Sequence, residues 1–201
     1  PHNNLRISVT DRCNIRCFYC MPDESIVFKP KTEILTFEEI ERFVRVLAPH
    51  GVNKLRLTGG EPLVRANLPD LISRLAAIEG IDDLALTTNG ILLERQARLL
   101  QEAGLQRINI SLDTLTAETF ERISRRPGLD KVLAGIAAAQ EAGFEKVRLN
   151  AIAIRGLTEN EIVPLGQFAL QHQLELRFIE FMPLDAEGKW QTEQVLSGEI
   201  I

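Results

Sequence analysis

The sequence predicts an α/β protein, an open, partial parallel β/α barrel of about six βα units. Three observations lead there. Six short apolar segments alternate with longer helical stretches, the pattern of a parallel sheet with right-handed crossovers. The segments alternate apolar and polar residues instead of running continuously apolar, so helices cover only one face of the sheet. The polar motifs fall after the segments, at the end of a parallel sheet where such folds bind ligands.

Taken in order, the strands are expected at Leu5–Val9, Lys54–Thr58, Asp83–Thr87, Arg107–Ser111, Val147–Ile152 and Glu175–Phe181. Helices fill the gaps. Thr36-Phe37-Glu38-Glu39 reads as a capping box, followed by an apolar stripe of Phe37, Ile40, Val44 and Leu47. Thr158-Glu159-Asn160-Glu161 reads as a second box. Gly51, Gly104 and Gly143 each follow a helical run, where a left-handed residue ends the helix. No linker, low-complexity tract or close repeat divides the chain, so residues 1–201 read as one unit.

The alternation predicts the barrel's interior. Leu5, Ile7 and Val9 oppose Arg6, Ser8 and Thr10; Leu55 and Leu57 oppose Lys54, Arg56 and Thr58. Ile108 and Ile110 oppose Arg107, Asn109 and Ser111, and Val147, Leu149 and Ala151 oppose Arg148, Asn150 and Ile152. The apolar rows face the helices, which leaves Arg6, Lys54, Arg56, Arg107 and Arg148 lining a lumen. Buried charge without partners is costly, so an anionic ligand is expected there. Acidic partners on the rim are the expectation for Arg107 and Lys54.

Composition sets outer limits. The chain has 201 residues and a net charge of −5, long enough for one domain that buries about 70% of its unfolded surface. An acidic balance argues against a duplex nucleic-acid footprint, and no apolar run approaches a membrane span. Cysteine usage suits a reducing cytoplasm. The chain opens at Pro1 and closes in Ser197-Gly198-Glu199-Ile200-Ile201, which reads as an unfinished helix capped by Ser197. A natural protein that continues past Ile201 is expected.

The three cysteines, Cys13, Cys17 and Cys20, stand in C-x3-C-x2-C spacing within Thr10–Pro22. A disulfide would strand one of them. A closed zinc site needs a fourth ligand, and His2, His50 and His172 stand in no finger-like spacing. A four-iron cube takes one cysteine per iron, so three leave one iron open to a small molecule. A partial zinc knuckle and a chance cluster remain the alternatives. Four further motifs follow later strands: Thr58-Gly59-Gly60-Glu61-Pro62, Thr87-Thr88-Asn89-Gly90, Ser111-Leu112-Asp113 and Glu180-Phe181-Met182-Pro183. Five loops are therefore expected to meet at one mouth.

C-x3-C-x2-C with an aromatic before its last cysteine resembles the signature of radical S-adenosylmethionine (SAM) enzymes, and Gly59–Pro62 resembles their segment for the methionine amino group. Leu5–Pro22, Leu57–Leu63, Leu86–Gly90 and Arg177–Met182 together resemble the GTP 3′,8-cyclases of molybdenum cofactor biosynthesis. That resemblance covers essentially the whole chain and implies a cytoplasmic radical-SAM partial barrel. Its reaction would be a lyase step that converts GTP to 3′,8-cyclo-7,8-dihydro-GTP.

The resemblance implies that Cys13, Cys17 and Cys20 hold a 4Fe–4S cluster, and that Tyr19, Gly60, Glu61, Ser111 and Met182 contact SAM. It assigns GTP to Arg6, Arg56, Thr87 and Arg148. Arg148 stands where the family more often has lysine; both are cationic, with different hydrogen-bond geometry. No catalytic side chain beyond the cluster and cofactor is implied. One electron, from an external donor, would cleave SAM, and the resulting radical would take hydrogen from C3′ of the GTP ribose. A homodimer is one assembly to test; nucleic acid and membrane are not expected partners. The family's second three-cysteine cluster and its Gly-Gly tail have no counterpart in these residues and are expected in the full-length protein. Two other readings compete: a radical SAM enzyme for a peptide or other small molecule, and a non-catalytic metal-stabilised binding module.

Overall fold

A computed structural model describes residues 2–21, 25–183 and 190–201. Pro1 and Pro22, which the sequence reading used, lie outside the described residues. The six strands are β1 (Asn4–Ser8), β2 (Lys54–Thr58), β3 (Asp83–Thr88), β4 (Arg107–Ser111), β5 (Lys146–Ala153) and β6 (Glu175–Glu180). They form one parallel sheet in sequence order. The α-helices are α1 (Phe37–Leu47), α2 (Leu68–Ala76), α3 (Ala97–Glu102), α4 (Ala117–Ser124), α5 (Leu129–Glu141) and α6 (Ile162–Gln171). Two helices, α4 and α5, occupy the crossover from β4 to β5. The predicted fold class and each predicted strand are present; β5 is longer than expected, and Phe181 leaves β6.

The outward row of each strand carries the core. Leu55, Leu57, Leu84, Leu86, Ile108, Ile110 and Leu149 are buried against Ile40, Val44, Leu71, Leu75, Leu100, Val132 and Ile136 from the helices. Each such side chain contributes about 1.5–3 kcal/mol by leaving water. At α1 the capping box is complete: Glu39 N–H donates to Thr36 Oγ1 (3.2 Å) and Thr36 N–H donates to Glu39 Oε2 (2.7 Å). Gly51, Gly104 and Gly143 take positive φ where predicted.

The second capping box is not formed. Thr158 Oγ1 accepts from Ile154 N–H (2.9 Å) and donates to the Ile152 carbonyl (2.8 Å). Glu161 reaches back to the β4 exit instead, where its carboxylate accepts from Thr114 Oγ1, Leu115 N–H and Thr116 Oγ1. Three donors from one loop outweigh a single local cap. At the chain's end the Ser197 carbonyl accepts from Ile200 N–H (2.9 Å) and Ile201 N–H (3.2 Å), and Gly198 N–H donates to Glu180 Oε1 (2.7 Å), so backbone and β6 hold the turn without the Ser197 side chain.

The inward rows behave as the alternation predicts, with one correction. Arg6 faces Arg56 across β1 and β2. Arg107 pairs with Asp83 on the neighbouring strand, as expected of a rim cation. Lys54 was expected to find an acidic partner and has none among the described residues; it is exposed at the start of β2. Asp83, its register partner on β3, is taken by Arg107, so water solvates the Lys54 ammonium.

Candidate active site

Five loops follow the carboxyl ends of the strands; hydrogen bonds tie the loops after β1, β2, β3 and β4 together, and the loop after β6 reaches the first through the Phe18–Phe181 ring contact. The loop after β1 carries the three cysteines, all free thiols. Val9 N–H donates to the Thr58 carbonyl (2.9 Å), which carries the β1–β2 pairing into this loop. The Cys17 carbonyl accepts from Cys20 N–H (3.0 Å) and Met21 N–H (2.9 Å), closing a tight turn. Arg16 braces that turn from within, donating to the carbonyls of Cys13 (2.9 Å) and Ile15 (2.8 Å). From outside, Arg16 N–H and Phe18 N–H donate to the Ser124 and Ile123 carbonyls at the end of α4.

The loop after β2 presses onto this one. Gly60 N–H donates to the Thr10 carbonyl (2.8 Å) and Glu61 N–H donates to the Arg12 carbonyl (2.8 Å). A Cβ on Gly60 would lie 2.4 Å from the Arg12 oxygen; only glycine permits that approach. Glu61 is buried and carries the contact onward. Its carboxylate accepts from Leu63 N–H (3.0 Å), Thr88 Oγ1 (2.7 Å) and Asn89 N–H (2.7 Å). Burial pushes the Glu61 carboxyl above its ordinary range, against the pull of these three donors. Asn89 then returns to the first loop, donating from Nδ2 to Asn14 Oδ1 (2.7 Å).

The loop after β4 supplies Ser111 and Asp113. Asp113 is buried, accepts from Tyr19 Oη (2.7 Å) and from Ile152 N–H (2.8 Å), and so joins the cysteine loop to β5. Burial raises the Asp113 carboxyl. It also raises the Tyr19 hydroxyl and the Cys17 thiol, and the Asp113 charge adds to both.

Two adjoining cavities result. The first, of about 170 Å³, is lined by Cys13, Cys17 and Cys20 together with Gly60, Glu61 and Asn89. The second, of about 530 Å³, is the lumen mouth, where Arg6, Arg56 and Arg177 stand among Asn150, Ile152 and Phe178. Tyr19, Thr58, Gly59, Thr87 and Ser111 line both, so the two spaces share a wall. Among the described residues no three Cys, His, Asp or Glu side chains converge on a single-ion position. The thiols ring a space instead, which suits a cube whose irons each take one thiolate.

The lumen mouth is cationic and in part unsatisfied. Arg56 Nε is buried without a hydrogen-bond partner. Burial lowers the Arg56 guanidinium, and Arg6, Arg107, Arg148 and Arg177 lower it further by repulsion. An orphan donor in a field of like charge is the physical mark of an anion site.

Of the residues the sequence singled out, Cys13, Cys17, Cys20, Tyr19, Gly60, Glu61 and Ser111 line the thiol cavity. Arg6, Arg56 and Thr87 line the lumen mouth. Arg148 lies in neither lining; its Nε donates to Glu175 on β6 (2.5 Å). Met182 is half exposed and outside both linings. Arg177 is the lining cation that the sequence reading did not single out. It sits opposite Asn150 in register, so extending the polar row of β5 onto β6 finds it.

Comparison with known proteins adds three findings. The Radical SAM superfamily profile matches residues 7–169. A GTP 3′,8-cyclase of Rhodopirellula baltica is 57% identical over 98% of this chain and 55% of its own length. Molybdenum cofactor biosynthesis protein 1 of mouse is 46% identical over 98% of this chain and 31% of its own. The chain therefore spans about half the length, or less, of these curated relatives. Among solved structures, Streptococcus suis SuiB superposes with a TM-score of 0.78 at 18% identity, over 94% of this chain and 42% of that one.

Proposed function

The chain belongs to the radical SAM superfamily, and from that premise we propose that it is the SAM-binding barrel of a GTP 3′,8-cyclase. Cys13, Cys17 and Cys20 would hold a 4Fe–4S cluster, and the cavity they line would admit SAM beside it. When bound, the cluster supplies one electron and SAM supplies the radical that it generates. Everything else is the work of this chain's own side chains.

The observation that supports the reading best is the adjacency of the two cavities, which share Tyr19, Thr58, Gly59, Thr87 and Ser111. A thiol-lined space beside a cationic hollow would bring a metal cofactor and an anionic substrate next to each other. Arg6 and Arg56 would bind the triphosphate, each charge-assisted contact contributing about 1.5–3 kcal/mol; Arg177, paired with Glu175, would join them on exchanging that partner. Thr87, shared by both cavities, would orient the nucleoside between them. Ile152, Phe178 and Ile179 also line this space and would lower the local dielectric, which strengthens each of those contacts. The Tyr19 hydroxyl is held by Asp113, so Tyr19 meets the cofactor with its ring. Arg148, paired with Glu175, would reach substrate only by exchanging that partner, as lysine in its place also would.

The reading includes an external one-electron donor, a cytoplasmic setting and a second cluster outside these residues, as the motif resemblance implies. No helix among the described residues is long and apolar enough to cross a membrane. The test uses the full-length protein, reconstituted anaerobically. Cys17→Ala should lose cluster iron and reductive cleavage of SAM. Arg56→Ala should weaken GTP binding by tenfold or more while uncoupled SAM cleavage persists. An unchanged cleavage rate in Cys17→Ala overturns the cluster assignment, and unchanged GTP affinity in Arg56→Ala overturns the phosphate site.

A further inference from the structure

Asn89, which follows β3, has its backbone N–H and both side-chain polar atoms hydrogen-bonded. Its backbone N–H donates to Glu61 Oε2 (2.7 Å) and its Oδ1 accepts from Ile91 N–H (3.1 Å). Its Nδ2 donates to Asn14 Oδ1 (2.7 Å) and also to Cys13 Sγ (3.9 Å). A primary amide has two hydrogens to give, so one can serve Asn14 while the other faces the Cys13 sulfur. The assignment of nitrogen and oxygen follows from the network. A flipped amide would set its NH₂ against Ile91 N–H and its oxygen against the Asn14 oxygen. The donor facing Cys13 is thus locked by three other bonds.

Thr88, Gly60 and Glu61 lie against the same cavity, yet none of them is hydrogen-bonded to a cysteine sulfur among the described residues. Asn89 is the side-chain amide that reaches one. Its reach is directed at the first of the three thiols, the one whose loop it already grips through Asn14.

We infer that Asn89 is a positioning residue that donates an N–H to the Cys13 thiolate and thereby eases reduction of the cluster bound there. The inference rests on the cluster reading given above. Reduction adds negative charge, which spreads over the ligating sulfurs; a fixed donor at one sulfur stabilises that charge and raises the potential. A purely structural Asn89 would only fasten two loops together and leave the potential alone.

The experiment compares wild type with Asn89→Asp and Asn89→Ala in the full-length protein after anaerobic reconstitution. Iron and sulfide content are measured first, followed by a potentiometric titration read by the electron-spin resonance of the reduced cluster. Asn89→Asp keeps the shape and replaces the donor by an acceptor. The expected result is near-wild-type iron with a more negative midpoint. At fixed potential the ratio of reduced to oxidised cluster should fall about tenfold, or about 59 mV for one electron. Asn89→Ala should shift the midpoint less, in the same direction. A wild-type midpoint in either loaded variant overturns the inference, and so does loss of the cluster from both, which would leave Asn89 a structural tie alone. Wild type that takes up no iron and sulfide would instead overturn the cluster reading.

Discussion

Glu61 shows how a residue can be legible in sequence while its task is not. The Gly-Gly-Glu-Pro turn marks it as a site residue, but its carboxylate points into a ring of backbone and hydroxyl donors. Its raised pKa has a stability consequence. A carboxyl raised in the folded state contributes stability that is present below about pH 4.3, its unfolded value, and is lost as pH rises through the folded value. Glu61→Gln removes that dependence, so urea midpoints at pH 4.5 and pH 7 should differ less in the variant than in wild type. Gly60 offers a sharper test. With 2.4 Å between a new Cβ and the Arg12 oxygen, Gly60→Ala must part the two loops, and iron uptake on reconstitution should fall severalfold. Cysteine spacing announced the thiols, whereas the Tyr19–Asp113 bond joins residues 94 apart in sequence, a separation no local pattern reports.

At the scale of elements, periodicity carried nearly the whole fold. Apolar residues recur every second position along β1, β2, β4 and β5 and every third or fourth along α1, so these elements follow from burial alone. The two Thr-x-x-Glu segments show where such reading stops. Thr36 and Glu39 cap α1 because nothing else competes for them. Thr158 and Glu161 are claimed by strand β5 and by the loop after β4. Thr36→Ala should therefore cost about 1 kcal/mol, measurable as a lowered denaturant midpoint with active-site properties unchanged. Helix α5 depends on Gly135, where a Cβ would stand 2.6 Å from the Gly90 carbonyl oxygen. Gly135→Ala should cost about 1–3 kcal/mol through overpacking, and calorimetry should show a lower transition temperature.

At the scale of the whole molecule, a protein with net charge −5 gathers arginines on the inner face of its sheet. Neighbouring acids neutralise part of that set: Asp83 takes Arg107, and Glu175 takes Arg148 and Arg177. Arg6 and Arg56 retain their positive potential at the lumen mouth. Affinity for GTP in the full-length protein should accordingly fall as salt rises, since screening acts over about 8 Å at physiological ionic strength. An Arg6→Ala, Arg56→Ala double variant should show a flatter salt dependence in equilibrium binding. The tie between the loops carries one more consequence. Glu61, Asn89, Asn14 and the Arg12 carbonyl fasten one another through their own donors and acceptors. A cluster seated there would inherit a frame drawn by neighbouring strand exits, so slack introduced at any one of these bonds would be felt at the thiols.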